Sequence, residues 1–137
     1  MISVILDTNI LLSAFLFNGM TRIFIDLIFE DTLQLYISLD LEKEVLRKLY
    51  EYKADIQIIN RVTTLLDYAT SIKPNITITA SRDPEDNFLL ELAQTCNAGY
   101  LITRDNDLLS LPNQKWKNTI IMKPEEFLPL LRKMKLL

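Results

Sequence analysis

The 137-residue chain contains no histidine, one cysteine and only two glycines. Without histidine there is no imidazole base, no imidazole metal ligand and no histidine-relayed serine or cysteine nucleophile. Cys96 alone cannot form a disulfide or a cysteine zinc site within one chain. Gly19 and Gly99 are too few and too far apart for a glycine-rich phosphate loop. Any catalysis must therefore run on carboxylates, lysine, arginine, tyrosine, hydroxyls or an oxygen-bound metal. The chain also lacks a basic excess: 15 Lys and Arg stand against 18 Asp and Glu, a formal net charge of -3. Charge alone does not mark it as a nucleic-acid binder.

The segment MISVILDTN has no basic residue before its apolar run and does not read as a secretory signal. The longest mostly apolar stretch, residues 10–17, contains Ser13 and is too short to span a bilayer. No membrane association and a cytoplasmic setting are the expectation. Apolar residues make up 49% and charged residues 24%, which suits one soluble domain over residues 1–137.

Along the chain, residues 1–6 are β-branched and apolar and read as a buried strand that stops at Asp7. Residues 10–31 are helical in character. LQLYIS at 33–38 is a second strand, and Leu41, Val45 and Leu49 mark a helix reaching about Tyr52. Ile58, Ile59, Val62, Leu65, Leu66 and Ala69 give the clearest helical period. Residues 75–79, NITIT, read as a short strand or an extended link. Asp83 is a good N-cap, with Pro84 at the first helical position and Glu85 and Asp86 at the positive end of the dipole. Strands follow at 100–103 and 119–122, and Pro124 opens the last helix. Alternating strands and helices predict an α/β domain with a mostly parallel sheet covered on both faces. In such sheets ligands bind at the carboxyl ends of the strands.

Acids collect at that edge. Asp7 follows the first strand and Asp105 follows YLIT. Glu42 and Glu44 lie early in one helix, and Asp83 and Asp86 open another. Two carboxylates about 5 Å apart repel by roughly 3 kcal/mol at an effective dielectric of about 20. Clustered acids must therefore be protonated, spread apart or neutralised by a cation, and all-oxygen ligands suit Mg²⁺ or Mn²⁺. Each acid also has a plainer role. Capping is the favoured reading of Asp83, and Asp86 is evenly balanced between cap and ligand. A helical wheel puts Glu42 about 60° and Glu44 about 100° from Val45, so periodicity does not favour Glu44. Asp107 reads as the cap of a turn before Leu108. Asp7 is the hardest to explain structurally, because an acid closing a buried strand is costly unless partnered. Cys96 reads as core, and Trp116, between Lys115 and Lys117, as packing over a loop.

VILDTNILLSA, SLDLEKEVLRKL, RDPEDNFLLELA and YLITRDNDLL occur in this order at suitable intervals. Together they resemble the PIN-domain ribonuclease family, most of all the branch of toxin components related to the VapC toxins. The resemblance runs from Met1 to the PEEFL segment. It implies a three-layer α/β/α domain and a metal-dependent endoribonuclease that leaves a 5′-phosphate and a 3′-hydroxyl. Its implied catalytic and metal-holding residues are Asp7, Glu44, Asp86 and Asp105, with Mg²⁺ or Mn²⁺ as the ion. Asn9, Ser38 and Thr103 fall where the family has polar groups near the acids, and Asp107 matches a frequent extra acid. Arg104 departs from the branch, which often has glycine there; its cation would contact a phosphate or partly neutralise Asp105. An RNA substrate, an antitoxin partner and a homodimer are implied as well. Two rivals remain in view. One is a non-catalytic PIN-like module that binds RNA or protein. The other is a haloacid-dehalogenase-type phosphotransferase, which would need Asp where this chain has Asn9.

Overall fold

A computed structural model describes residues 1–81 and 83–137. Its strands are β1 (Ile2–Leu6), β2 (Leu33–Ile37), β3 (Thr70–Ser71), β4 (Tyr100–Ile102), β5 (Lys115–Trp116) and β6 (Thr119–Met122). Its α-helices are α1 (Thr8–Leu16), α2 (Ile23–Phe29), α3 (Leu39–Glu51), α4 (Ile56–Tyr68), α5 (Pro84–Cys96), α6 (Asn106–Leu109) and α7 (Pro124–Lys133). The strands form one sheet in the order β3-β2-β1-β4-β6-β5. Every pairing is parallel except β5 with β6. Helices cover both faces, which gives the three-layer α/β/α architecture.

β1 lies in the middle of the sheet, and its Val4, Ile5 and Leu6 are fully buried. A strand enclosed on both faces is served by a continuous apolar run rather than alternation. Phe127 of α7 packs against Phe24 and Tyr100, with ring centroids 5.9 and 5.1 Å away. The helix starts follow local chemistry. Ser38 accepts from the Leu41 N–H at the head of α3, and Asp55 from the Ile58 N–H at the head of α4. At the far end of α5, Asn97 takes the left-handed conformation (φ 53°) that closes a helix.

Three features differ from the sequence reading. Residues 10–31 are not one helical stretch: α1 ends before Asn18-Gly19, a 3₁₀ turn covers Met20–Arg22, and α2 leaves at 98° to α1. The third strand lies at Thr70–Ser71, paired with Tyr36 and Ile37, while residues 75–79 run as an extended link without a ladder. The β5–β6 hairpin was not visible in the sequence. Its Trp116 packs back on α5 and donates its indole N–H to Gln94 at 3.0 Å.

Candidate active site

The carboxyl ends of β1 and β4 lie side by side, with Leu6 opposite Ile102. Asp7 and Asp105 therefore emerge at one edge, as parallel neighbours require. Asp7 is positioned as the N-cap of α1, yet its carboxylate makes no cap bond. It accepts instead from the Thr103 hydroxyl at 2.6 Å. The same hydroxyl oxygen accepts the Asp105 N–H at 3.0 Å. Thr103, fully buried, thus ties the ends of two strands together and holds the Asp7 carboxylate at that edge.

The head of α5 brings Asp83 and Asp86 to this edge. Asp83, Asp86 and Asp105 each present a carboxylate oxygen, all within 4.8 Å of one another. Asp83 also caps α5, accepting the Glu85 N–H at 3.0 Å. Asp86 is only 3% exposed, and its Oδ2 accepts from the Ser81 hydroxyl at 3.3 Å. Ser81 is held by Asn87, whose amide bonds both the N–H and the carbonyl of Ser81 (2.9 and 3.0 Å). These acids line one cleft of about 380 Å³ with Asp7, Asn9, Asp40, Glu44, Lys48, Glu85, Phe88 and Arg104.

Burial raises the Asp7 pKa above the usual aspartate value, an effect that the Thr103 hydrogen bond partly offsets. Asp86 is pushed up to about 7, first by burial and then by its hydrogen bond and charge repulsion with Asp105. A proton on Asp86 near neutrality therefore relieves part of the repulsion at this edge. Among the described residues no ion pair involves Asp7, Asp83, Asp86 or Asp105. A compact set of hard oxygen donors with no cation among the described residues fits Mg²⁺ or Mn²⁺.

Glu44 lines the same cleft but lies outside that trio. Arg47 donates from Nε and Nη2 to its two carboxylate oxygens, at 3.1 and 2.5 Å. This holds the Glu44 pKa below the usual glutamate value. Neighbouring Glu85 is raised by burial and by the charge of Glu44. Lys48 stands 3.9 Å from Glu44 and donates to Asn9 Oδ1 at 3.2 Å.

The remaining polar candidates divide. Thr103 orients an acid as expected. Ser38 caps α3 and bonds no carboxylate. Asp107 touches the cluster only through its backbone N–H, which Asp105 Oδ1 accepts at 2.9 Å. Arg104 makes no ion pair with Asp105 among the described residues; it lines the cleft, pairs with Glu125 at 2.7 Å and lowers that residue's pKa. The sequence reading passed over Lys48, Arg47 and Ser81, and favoured a cap over a ligand for Asp83. The available signal for Asp83 was its spacing, since residues three apart on a helix start face the same way.

A PIN-domain family model matches residues 3–107. The chain belongs to the PIN-domain family. Members of that family are generally nucleases, and the acidic edge of the sheet lies within the matched span. The uncharacterized protein MJ1680 of Methanocaldococcus jannaschii is 33% identical over 120 residues, covering 82% of this chain and 77% of its own length. Among solved structures, VapBC2 from Rickettsia felis, bound to a DNA fragment from its promoter, superposes with a TM-score of 0.62 at 16% identity. The match covers 89% of this chain and 98% of that one. PAE2754 from Pyrobaculum aerophilum superposes with a TM-score of 0.60 at 13% identity, covering 96% and 98%. Both likenesses concern the fold.

Proposed function

We propose that this PIN domain is a Mg²⁺- or Mn²⁺-dependent endoribonuclease and the toxin of a toxin–antitoxin pair, acting in the cytoplasm. The observation that carries the reading is the group of Asp83, Asp86 and Asp105 beside Asp7, at the carboxyl edge of a parallel sheet and with no cation of their own among the described residues. Asp7, Asp86 and Asp105 would hold the ion, with Asp83 and Glu44 available from the cleft walls. When bound, the ion supplies Lewis acidity at a phosphoryl group.

The chain's own groups do the rest. Thr103 fixes the Asp7 carboxylate, Ser81 fixes that of Asp86, and the Asp107 N–H fixes that of Asp105. Asp86 holds a proton at neutral pH until a cation displaces it, so occupancy is linked to pH. Phe88, 37% exposed at the cleft wall, offers a face on which an unpaired base can stack. An acidic cleft also suits a basic side chain of an antitoxin. Leu39, Leu46 and Tyr50, exposed along one side of α3, offer an apolar face to an antitoxin or a second copy.

The capture of Glu44 by Arg47 favours a second reading, a binding module whose ligand set is never completed. One experiment separates the two. Purified protein is given a labelled mixed RNA pool with Mg²⁺, Mn²⁺ or EDTA, beside an Asp7→Asn variant. Metal-dependent cutting that the variant loses, with 5′-phosphate ends, supports the nuclease. No cutting by a folded, partner-free protein supports the module. Growth arrest on induction, relieved by a small neighbouring gene product, tests the toxin role.

A further inference from the structure

Arg47 is unusual in where its charge goes. Its guanidinium spans three carboxylates from two helices: Glu44 through two donors, Glu51 one turn further along α3, and Glu85 of α5 at 3.8 Å. The Glu44 side chain is 16% exposed and Arg47 51%, so the pair sits at the mouth of the cleft with Arg47 outermost. The fork uses Nε and Nη2, one for each oxygen of Glu44, the geometry in which an arginine–carboxylate pair is most specific. Lys48 reinforces the same carboxylate from one turn along. On the opposite wall Asp83, Asp86 and Asp105 have no such partner among the described residues.

We infer that Arg47 is a counter-ion latch: it holds Glu44 away from the acid trio, and a divalent cation in the cleft must draw Glu44 out of that fork. This rests on the proposed metal centre. A cation that took both oxygens of Glu44 would displace the bidentate fork, so these two bidentate states of Glu44 exclude one another. Arg47 is half exposed, so a cation in the cleft competes with a pair that is open to water on one side. Arg47 thereby sets the cation concentration at which the ligand set is completed. Arg47 is a positioning residue acting through Glu44.

The test follows the latch directly in the full chain. Mg²⁺ is titrated into ¹⁵N-labelled protein while the Arg47 Nε–H signal and the backbone amides of Asp86 and Asp105 are recorded by NMR. The expected result is that Arg47 moves toward the position of an unpaired guanidinium with the same midpoint as the two amides. Amides that saturate while Arg47 stays still would overturn the latch and leave the metal centre standing. Amides that never respond would overturn the metal centre and the latch with it. Calorimetry with Mn²⁺ gives a second readout. Arg47→Met should bind about two- to fivefold tighter than wild type, the range an exposed ion pair can withhold. Lys43→Met, which removes the same charge from an exposed position on the same helix, should change affinity much less. Equal affinity of Arg47→Met and wild type, or an equal gain in Lys43→Met, would overturn the proposal.

Discussion

The two walls of the cleft are both lined with acids and solve the resulting repulsion differently. On the α3 wall the charge of Glu44 is met by Arg47 and Lys48, and its pKa falls. On the α5–β4 wall no cation from the described residues reaches Asp83, Asp86 or Asp105, and the repulsion is relieved by a proton held on Asp86. The first wall is what an ordinary protein surface does with acids. The second is short of positive charge among the described residues, which sets it apart from a solvated helix face.

The contrast can be broken most severely at the α5–β4 wall. Asp105→Asn should abolish metal-dependent RNA cleavage, a loss beyond the roughly 10–100-fold expected from removing a supporting partner. In EDTA the same change should raise thermal stability, because it removes a repelling charge. A drop in melting temperature would show that the trio is not repulsive. Next in size is Thr103→Val, which keeps the shape but deprives Asp7 of its 2.6 Å donor. Mn²⁺ affinity or cleavage should fall roughly 10–100-fold, and an unchanged value would remove Thr103 from the site.

A subtler effect concerns protons. The folded-state pKa of Asp86, about 7, lies above the 3.8 of an unperturbed aspartate. Between those values the folded chain binds a proton that the unfolded chain does not. In EDTA, stability from this group is fully present below about pH 4 and is lost as pH rises through 7. The Asp86 carboxyl carbon should titrate near 7 by NMR in EDTA, and saturating Mg²⁺ should lower the midpoint. A midpoint near 4 without cation would mean that the acids are not gathered as described. The smallest effect belongs to the other kind of acid. Glu125→Gln, which breaks an exposed pair with Arg104, should alter stability by no more than about 1 kcal/mol, as read from denaturant unfolding.

The difference between the walls also explains what could be read in advance. Asp7 and Asp105 were legible because each ends a buried apolar strand, where an acid without a partner is costly. The head of α5 was legible through Asp83-Pro84, since capping is local chemistry. That Asp83 is at once cap and member of the trio was not, because the sequence offered the two uses as alternatives and the structure gives it both. The link between Arg47 and Glu85 was hidden for another reason: it joins α3 to α5, and nothing in either helix alone specifies their approach. Ser38, grouped with the acids in the sequence, accepts the Leu41 N–H as the cap of α3. The turn at Asn18-Gly19 was obscured because apolar residues continue on both sides of it.

The hydrogen bond from Thr103 to Asp7 joins residues 96 positions apart in the chain, and β1 waits just as long for β4. During synthesis the first acid leaves the ribosome early and stands alone. Its partners on α5 and β4 lie in the later part of these residues, from Asp83 to Asp105. No N-terminal fragment ending before Asp105 can assemble the cleft, so a nascent or prematurely ended chain carries no working site. The acids of the cleft are therefore gathered only after β4 has been made.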